Sequence, residues 1–286
     1  KHPYAEPMSG TQRSISKITP LQLKQFSNQF LVAQNMNIAI TGQLSAKEAL
    51  KLSERIAGNL KQGEKAQALP EPIDKSSFDI RHIASDSSQA HVMMGHLGTS
   101  RFDSDRLALE IANQMFGGSG FNSILMQELR VKRGYTYGAY STFSFSQVPG
   151  TFSFSYSTRQ DQLLSSVQVA HQALIDFVTQ PIDLNQLAET KAGMLRAFPN
   201  NYSSNANINA QLGAMGFYHQ AADYLSQYPK LLEKINAQDV QNAIQKHLHP
   251  ERLTLIVVND QVDKTTLETR LKQNLNPHAA QPLLPT

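Results

Sequence analysis

Read for its alternation of hydrophobic and polar positions, the chain falls into two regular stretches joined by one with little pattern. Leu23, Phe26 and Phe30 recur near helical spacing behind Thr19-Pro20, a capping hydroxyl followed by proline at the first helical position. Met36 to Gly42 reads as a strand. Ser45-Ala46-Lys47-Glu48 is a capping box that opens a helix through Leu52, Ile56 and Leu60. Lys61 to Ser77 carries Gly63, Pro70 and Pro72 without apolar periodicity, as a linker does.

Beyond it, Phe78–Ala84 and Ala90–Leu97 read as strands, and a helix is expected from about Asp103 to Phe116. Gly117-Gly118-Ser119-Gly120 separates it from a second helix, Phe121 to Lys132. Tyr135 to Phe145 alternates, which would place Tyr135, Tyr137, Phe143 and Phe145 on one strand face. Phe152, Phe154 and Tyr156 alternate likewise, and Val148-Pro149-Gly150 between the two runs marks a hairpin. Leu164, Val167, His171, Leu174 and Val178 trace a long amphipathic helix. Further helical stretches cover Leu187–Phe198, Ile208–Phe217 and Tyr224–Ile235.

The end of the chain repeats its beginning. Ile18-Thr19-Pro20 matches Ile235-Asn236-Ala237, Leu23 matches Val240, Ile38-Ala39-Ile40 matches Leu255-Ile256-Val257, and Leu50 matches Leu267. Every pair is offset by 217 positions, as 267 − 50 shows, and a constant offset without gaps indicates duplication. The expected division is therefore 1–62, the C-terminal part of a first domain; 63–77, a linker; 78–275, a complete second domain of the same type; and 276–286, a tail. On this reading the first copy is incomplete, and counterparts of residues 78–217, roughly 140 residues, are expected ahead of Lys1. Strands followed by segregated helices imply an α+β fold rather than alternating βαβ units.

Composition narrows the chemistry. With 40% hydrophobic and 17% charged residues, a chain of 286 residues can bury more than one ordinary core. The net charge of +3 is spread without a block of like charges, which argues against nucleic acid as a partner. No apolar run reaches the length of a membrane span. The lack of cysteine excludes disulfides, thiol nucleophiles and thiolate zinc sites.

Nine histidines are present, none in His-x-x-x-His spacing, and neither HExxH nor HxxEH occurs. His91 and His96, five apart on a strand, should face opposite ways. His247 and His249 close a helix, where cations favour the dipole, and His171 belongs to a core or rim. No zinc site can be assembled from these residues. The glycine run lacks the Lys-Ser/Thr of a phosphate loop and follows no strand, so it reads as a flexible connection using positive φ. No Gly-x-Ser-x-Gly elbow exists.

Phe116 to Ser141, FGGSGFNSILMQELRVKRGYTYGAYS, is the most informative stretch. A helix turns Leu125 and Leu129 inward and ends in Arg130, Lys132 and Arg133; Gly134 then releases the chain into a Tyr-rich strand. Taken by itself, this is a basic last turn, a glycine cap and an aromatic core face. The pattern of small glycines, Ser-x-Leu-x-x-x-Leu-Arg, Lys-Arg-Gly and an aromatic strand also resembles the second domain of the pitrilysin/insulinase metallopeptidases and their mitochondrial-processing-peptidase relatives.

The resemblance implies a duplicated metallopeptidase-like domain, an antiparallel-rich sheet with helices packed on one side. It implies substrate-contacting roles for Arg130 and Tyr137, which keep the family's spacing of seven. In that family an HxxEH motif and a downstream Glu hold zinc in the first domain, so zinc is expected in a longer protein or a partner subunit and none in this chain. The implied function is the substrate-binding C-terminal portion of a zinc endopeptidase, inactive alone. The implied partners are a peptide or protein substrate and the HxxEH-bearing segment or subunit, in a dimer. Two alternatives are a zinc-free subunit of a heterodimeric peptidase and a non-proteolytic structural or assembly subunit. The family's bacterial members suggest the periplasm, with the cytoplasm as alternative.

Overall fold

The computed structural model describes residues 2–276 except Ser76 and Ser119, so that most of the expected tail lies outside the described residues. The helices are α1 (Gln12–Ile15), α2 (Pro20–Phe30), α3 (Ala46–Ala57), α4 (Arg106–Asn113), α5 (Ile124–Met126), α6 (Leu163–Thr179), α7 (Leu184–Ala197), α8 (Asn205–Phe217), α9 (Tyr224–Lys234), α10 (Ala237–His247) and α11 (Lys264–Leu275). The strands are β1 (Asp79–Ala84), β2 (Gln89–Leu97), β3 (Ala139–Phe143), β4 (Thr151–Arg159) and β5 (Thr254–Asn259). They belong to two compact units: residues up to 72 with 194–230, and residues 73–193 with those from 231 onward. The continuous span 78–275 expected to form one domain is thus interrupted by a segment that groups with the N-terminal residues.

The second unit is built on one sheet in the order β1-β5-β2-β4-β3, mixed but mostly antiparallel. Only the β1–β5 pair is parallel, with His82 opposite Val257. Side chains alternate between faces as a strand requires. Ala90, Val92 and Met94 of β2, Phe152, Phe154 and Tyr156 of β4, and Leu255 and Val257 of β5 are all buried. Apolar residues of α4, α6, α10 and α11, including Leu109, Leu174, Ile244 and Leu267, are buried as well. Phe116 joins the layers, its ring edge-on to Phe154 at 5.6 Å and stacked on Phe177 at 5.3 Å. This is the expected α+β fold with helices on one side.

The first unit repeats two of these helices. The bounds of α2 and α10 are offset by 217 residues and those of α3 and α11 by 218. Capping boxes open α2 and α10, Thr19 with Gln22 and Asn236 with Asp239. The strand expected at Met36–Gly42 does not form a ladder, whereas its counterpart β5 is paired on both sides. Hydrogen-bonded neighbours define a strand, and here Asn37 Nδ2 instead donates to the Gly213 carbonyl at 2.9 Å and Thr41 Oγ1 to that of Asn205 at 3.2 Å. The burial differs too: Leu23 and Leu50 are each 59% exposed, while Val240 and Leu267 are fully buried.

Candidate functional site

The site grows from the stretch between Phe116 and Ser141. The helix expected to end at Phe116 instead widens into a π turn at Gln114–Gly118. Gly117 is there for close approach rather than flexibility: a Cβ on it would lie 2.7 Å from the Ser141 amide nitrogen and 2.8 Å from Leu125 Cδ1. Of the three glycines only Gly120, at φ +59°, uses the left-handed region. The next helix is shorter than expected, α5 followed by a second π turn at Gln127–Val131. Such one-turn insertions gather at functional sites.

Gly134, at φ +64°, closes that helix. Its amide donates to the Arg130 carbonyl and the Tyr135 amide to that of Leu129, at 2.9 and 2.8 Å. Each bond spans one residue more than in the common glycine-capped helix end, as follows from a π turn leading into it. The widened exit delays β3 until Ala139, so Tyr135 and Tyr137 do not share a strand face with Phe143. Strand parity had placed Tyr137 on the core side. It is instead 85% exposed, while Thr136 beside it is buried.

Arg130 and Tyr137 are brought together, though not by their side-chain tips. Arg130 Nη1 donates to the backbone carbonyl of Tyr137 at 2.6 Å. The guanidinium carbon also sits 4.4 Å from the centre of the Phe121 ring, a cation–π arrangement. Glu128 takes both remaining cations of this helix end, accepting from Lys132 and Arg133. Burial alone would raise the Glu128 pKa, but the two ion pairs outweigh it and hold the carboxyl below its usual range. Phe121 is the site residue that sequence reasoning missed, since nothing in its pattern distinguishes an exposed aromatic shelf from a helix start.

The histidines fall as expected from strand and helix geometry. His91 is exposed and bonded to Ser157 Oγ, while His96 on the opposite face accepts the His249 amide at Nε2. His171 is buried, with Nε2 bonded to the Pro250 carbonyl at 3.1 Å. His247 does more than favour a dipole, lying 3.0 Å from Asp105 and 3.6 Å from Asp103. These three are the grouping of possible metal ligands among the described residues. They do not fit a catalytic zinc: one imidazole is available, and the Lys246 ammonium already lies 2.7 Å from Asp105. No helix among the described residues is long and apolar enough to cross a membrane.

Fold and sequence together define a metallopeptidase-like domain. The profile of the peptidase M16 inactive domain matches residues 17–194, and the chain belongs to that family. It is similar to an uncharacterized zinc protease of Rickettsia felis, 26% identical over 252 residues, covering 85% of this chain and 58% of the relative. It is also similar to a non-peptidase homolog, YmxG, of Helicobacter pylori, 26% identical over 263 residues and covering 90% and 60%. The crystal structure of a peptidase M16 inactive domain from Pseudomonas fluorescens superposes with a TM-score of 0.86 at 32% identity, covering 92% of this chain and 62% of that one. The chain thus spans less than two thirds of each of these relatives.

Proposed function

We propose that this chain is the substrate-binding C-terminal portion of a zinc-dependent endopeptidase of the pitrilysin/insulinase type. Arg130 and Tyr137 contact the substrate backbone or the developing oxyanion, and the zinc site lies outside the chain. One observation carries the reading: Arg130 Nη1 fixes the Tyr137 carbonyl while the Tyr137 side chain stays exposed. That combination ties the cation to the backbone that carries the phenol and leaves the Tyr137 side chain open to a ligand. A fixed cation and a phenol O–H suit a carbonyl oxygen that gains negative charge. An extended peptide can also be held by its own main chain against a sheet edge.

The zinc-free alternative, a partner subunit of a heterodimeric peptidase, is favoured by the name of the Helicobacter pylori relative. Both readings require a second, HxxEH-bearing body, and both suit the unburied apolar residues of α2 and α3. A bacterial periplasmic setting accords with the family resemblance and the cysteine-free sequence. The experiment is reconstitution. The purified chain should not cleave peptides alone, and adding an HxxEH-bearing N-terminal segment or subunit should produce zinc-dependent cleavage that Arg130→Ala lowers. Cleavage by the isolated chain would overturn the proposal.

A further inference from the structure

The guanidinium of Arg130 is anchored on one side only. Nη1 lies on the Cδ side of the group and is committed to the Tyr137 carbonyl. Nε–H and Nη2–H lie side by side on the other edge, the pair that matches the two oxygens of a carboxylate. Neither has a hydrogen-bond partner among the described residues, and no described carboxylate pairs with Arg130. The neighbouring cations differ, since Lys132 and Arg133 are both ion-paired with Glu128.

The shelf beneath Arg130 is itself held in place. The Phe121 carbonyl accepts from Gln127 Nε2 at 2.6 Å. Gln186 Nε2, from α7, lies 3.2 Å from both the Asn122 and the Met115 carbonyls. Two glutamine amides on separate helices therefore fasten the segment that carries the Phe121 ring under the guanidinium. An arginine held by a ring face and a carbonyl has lost much of its rotamer freedom before any ligand arrives.

We infer that the Nε/Nη2 edge of Arg130 is a carboxylate-binding site, with Phe121 as its positioning residue. This rests on the reading of Arg130 as a substrate contact, and it names the substrate class: peptides that present a carboxylate at this point. A free C-terminal carboxylate and an Asp or Glu side chain offer the same pair of oxygens.

Three peptides of one serine–alanine-rich sequence separate the sources: one with a free C-terminus, one amidated, and one amidated with a single internal glutamate. Binding to the full chain is read by titration, together with the Arg130 Nε–Hε resonance in arginine-labelled protein. A charge-assisted bidentate contact should make at least one acidic peptide bind about tenfold tighter than the neutral one. The preferred acidic peptide identifies the source. Arg130→Lys should erase that preference while keeping the charge. Phe121→Leu should weaken it several-fold, and Phe121→Tyr, which keeps the ring face under the guanidinium, should restore it. If all three peptides bind equally and Arg130→Ala weakens all of them, the carboxylate assignment falls and the backbone contact stands. If Arg130→Ala changes nothing, both fall.

Discussion

Arg130 reaches past the helix that carries it to hold the Tyr137 backbone, its Nη1 donating to that carbonyl at 2.6 Å. The two residues of the spacing-of-seven motif are therefore coupled through the main chain. Variants at the two positions should fail in different ways. Tyr137→Phe removes one phenol and leaves the carbonyl contact intact, whereas Arg130→Ala removes a donor and also releases the backbone leading into β3. In the reconstituted peptidase, each should lower kcat/KM by about tenfold or more if it stabilises the transition state. Only Arg130→Ala should also speed amide exchange in residues 135–138. Equal exchange in the two variants would show that the Arg130 contact does not order that segment.

Gly134 sets the direction of this exit. Its φ of +64° lies where a Cβ is strained, yet no atom beyond its chain neighbours lies within 4 Å of the place a Cβ would occupy. Gly134→Ala should therefore cost about 1 kcal/mol, from backbone strain alone. Gly150→Ala should cost clearly more, because its Cβ would fall 1.7 Å from the Ser144 carbonyl oxygen. Chemical denaturation of the two variants side by side measures the contrast. Similar losses would mean that the hairpin moves to accept the methyl group.

His171 couples the fold to pH. Burial pushes its pKa below the usual 6.5, and the bond to the Pro250 carbonyl only partly opposes this. The unfolded chain therefore takes up the proton first as pH falls. The contribution of the neutral imidazole is complete above about 6.5 and is lost progressively below it. Buried His96 shifts in the same direction, for which burial is again the largest cause. The denaturation midpoint should fall between neutral and mildly acidic pH, before carboxylates such as Asp103 and Asp105, held below their usual range, begin to protonate. His171→Leu should be less stable at neutral pH and lose less on acidification. A variant with an unchanged pH slope would remove His171 as the cause.

Much of this was legible in the residues, for physical reasons that can be named. The alternation in β2 and β4 sorted buried from open positions correctly because both strands are paired along their whole length. The cap signals Thr19-Pro20 and Ser45–Glu48 located the starts of α2 and α3 because a cap is a local hydrogen bond. Tyr137 was misplaced because the π turn at Gln127–Val131 and the glycine exit after it hold β3 back to Ala139, so strand parity does not reach residue 137. Met36–Gly42 has the apolar pattern of β5, but a strand needs neighbours as well as a pattern. The Phe121 shelf depends on the amide of Gln186, 65 positions further on (186 − 121), and so had no signal in its own segment.

The contrast between matched positions in the two units gives the last prediction. Leu23 and Leu50 are each 59% exposed, and Phe26 likewise, whereas Val240 and Leu267, 217 positions later, are fully buried. Helices of one sequence pattern thus have a covered apolar face in the second unit and an uncovered one in the first. Leu23→Gln, Phe26→Gln and Leu50→Gln together should barely change the stability of this chain, within about 1 kcal/mol, because little burial is lost. The same substitution at Leu267 should cost several kcal/mol, roughly the penalty of a polar group in a packed core. In the presence of the HxxEH-bearing body the triple variant should associate at least tenfold more weakly than the parent, measured by sedimentation or titration. Unchanged association would mean that this apolar face is not where the second body sits. A large loss of stability in the chain alone would mean that these side chains are already covered in solution.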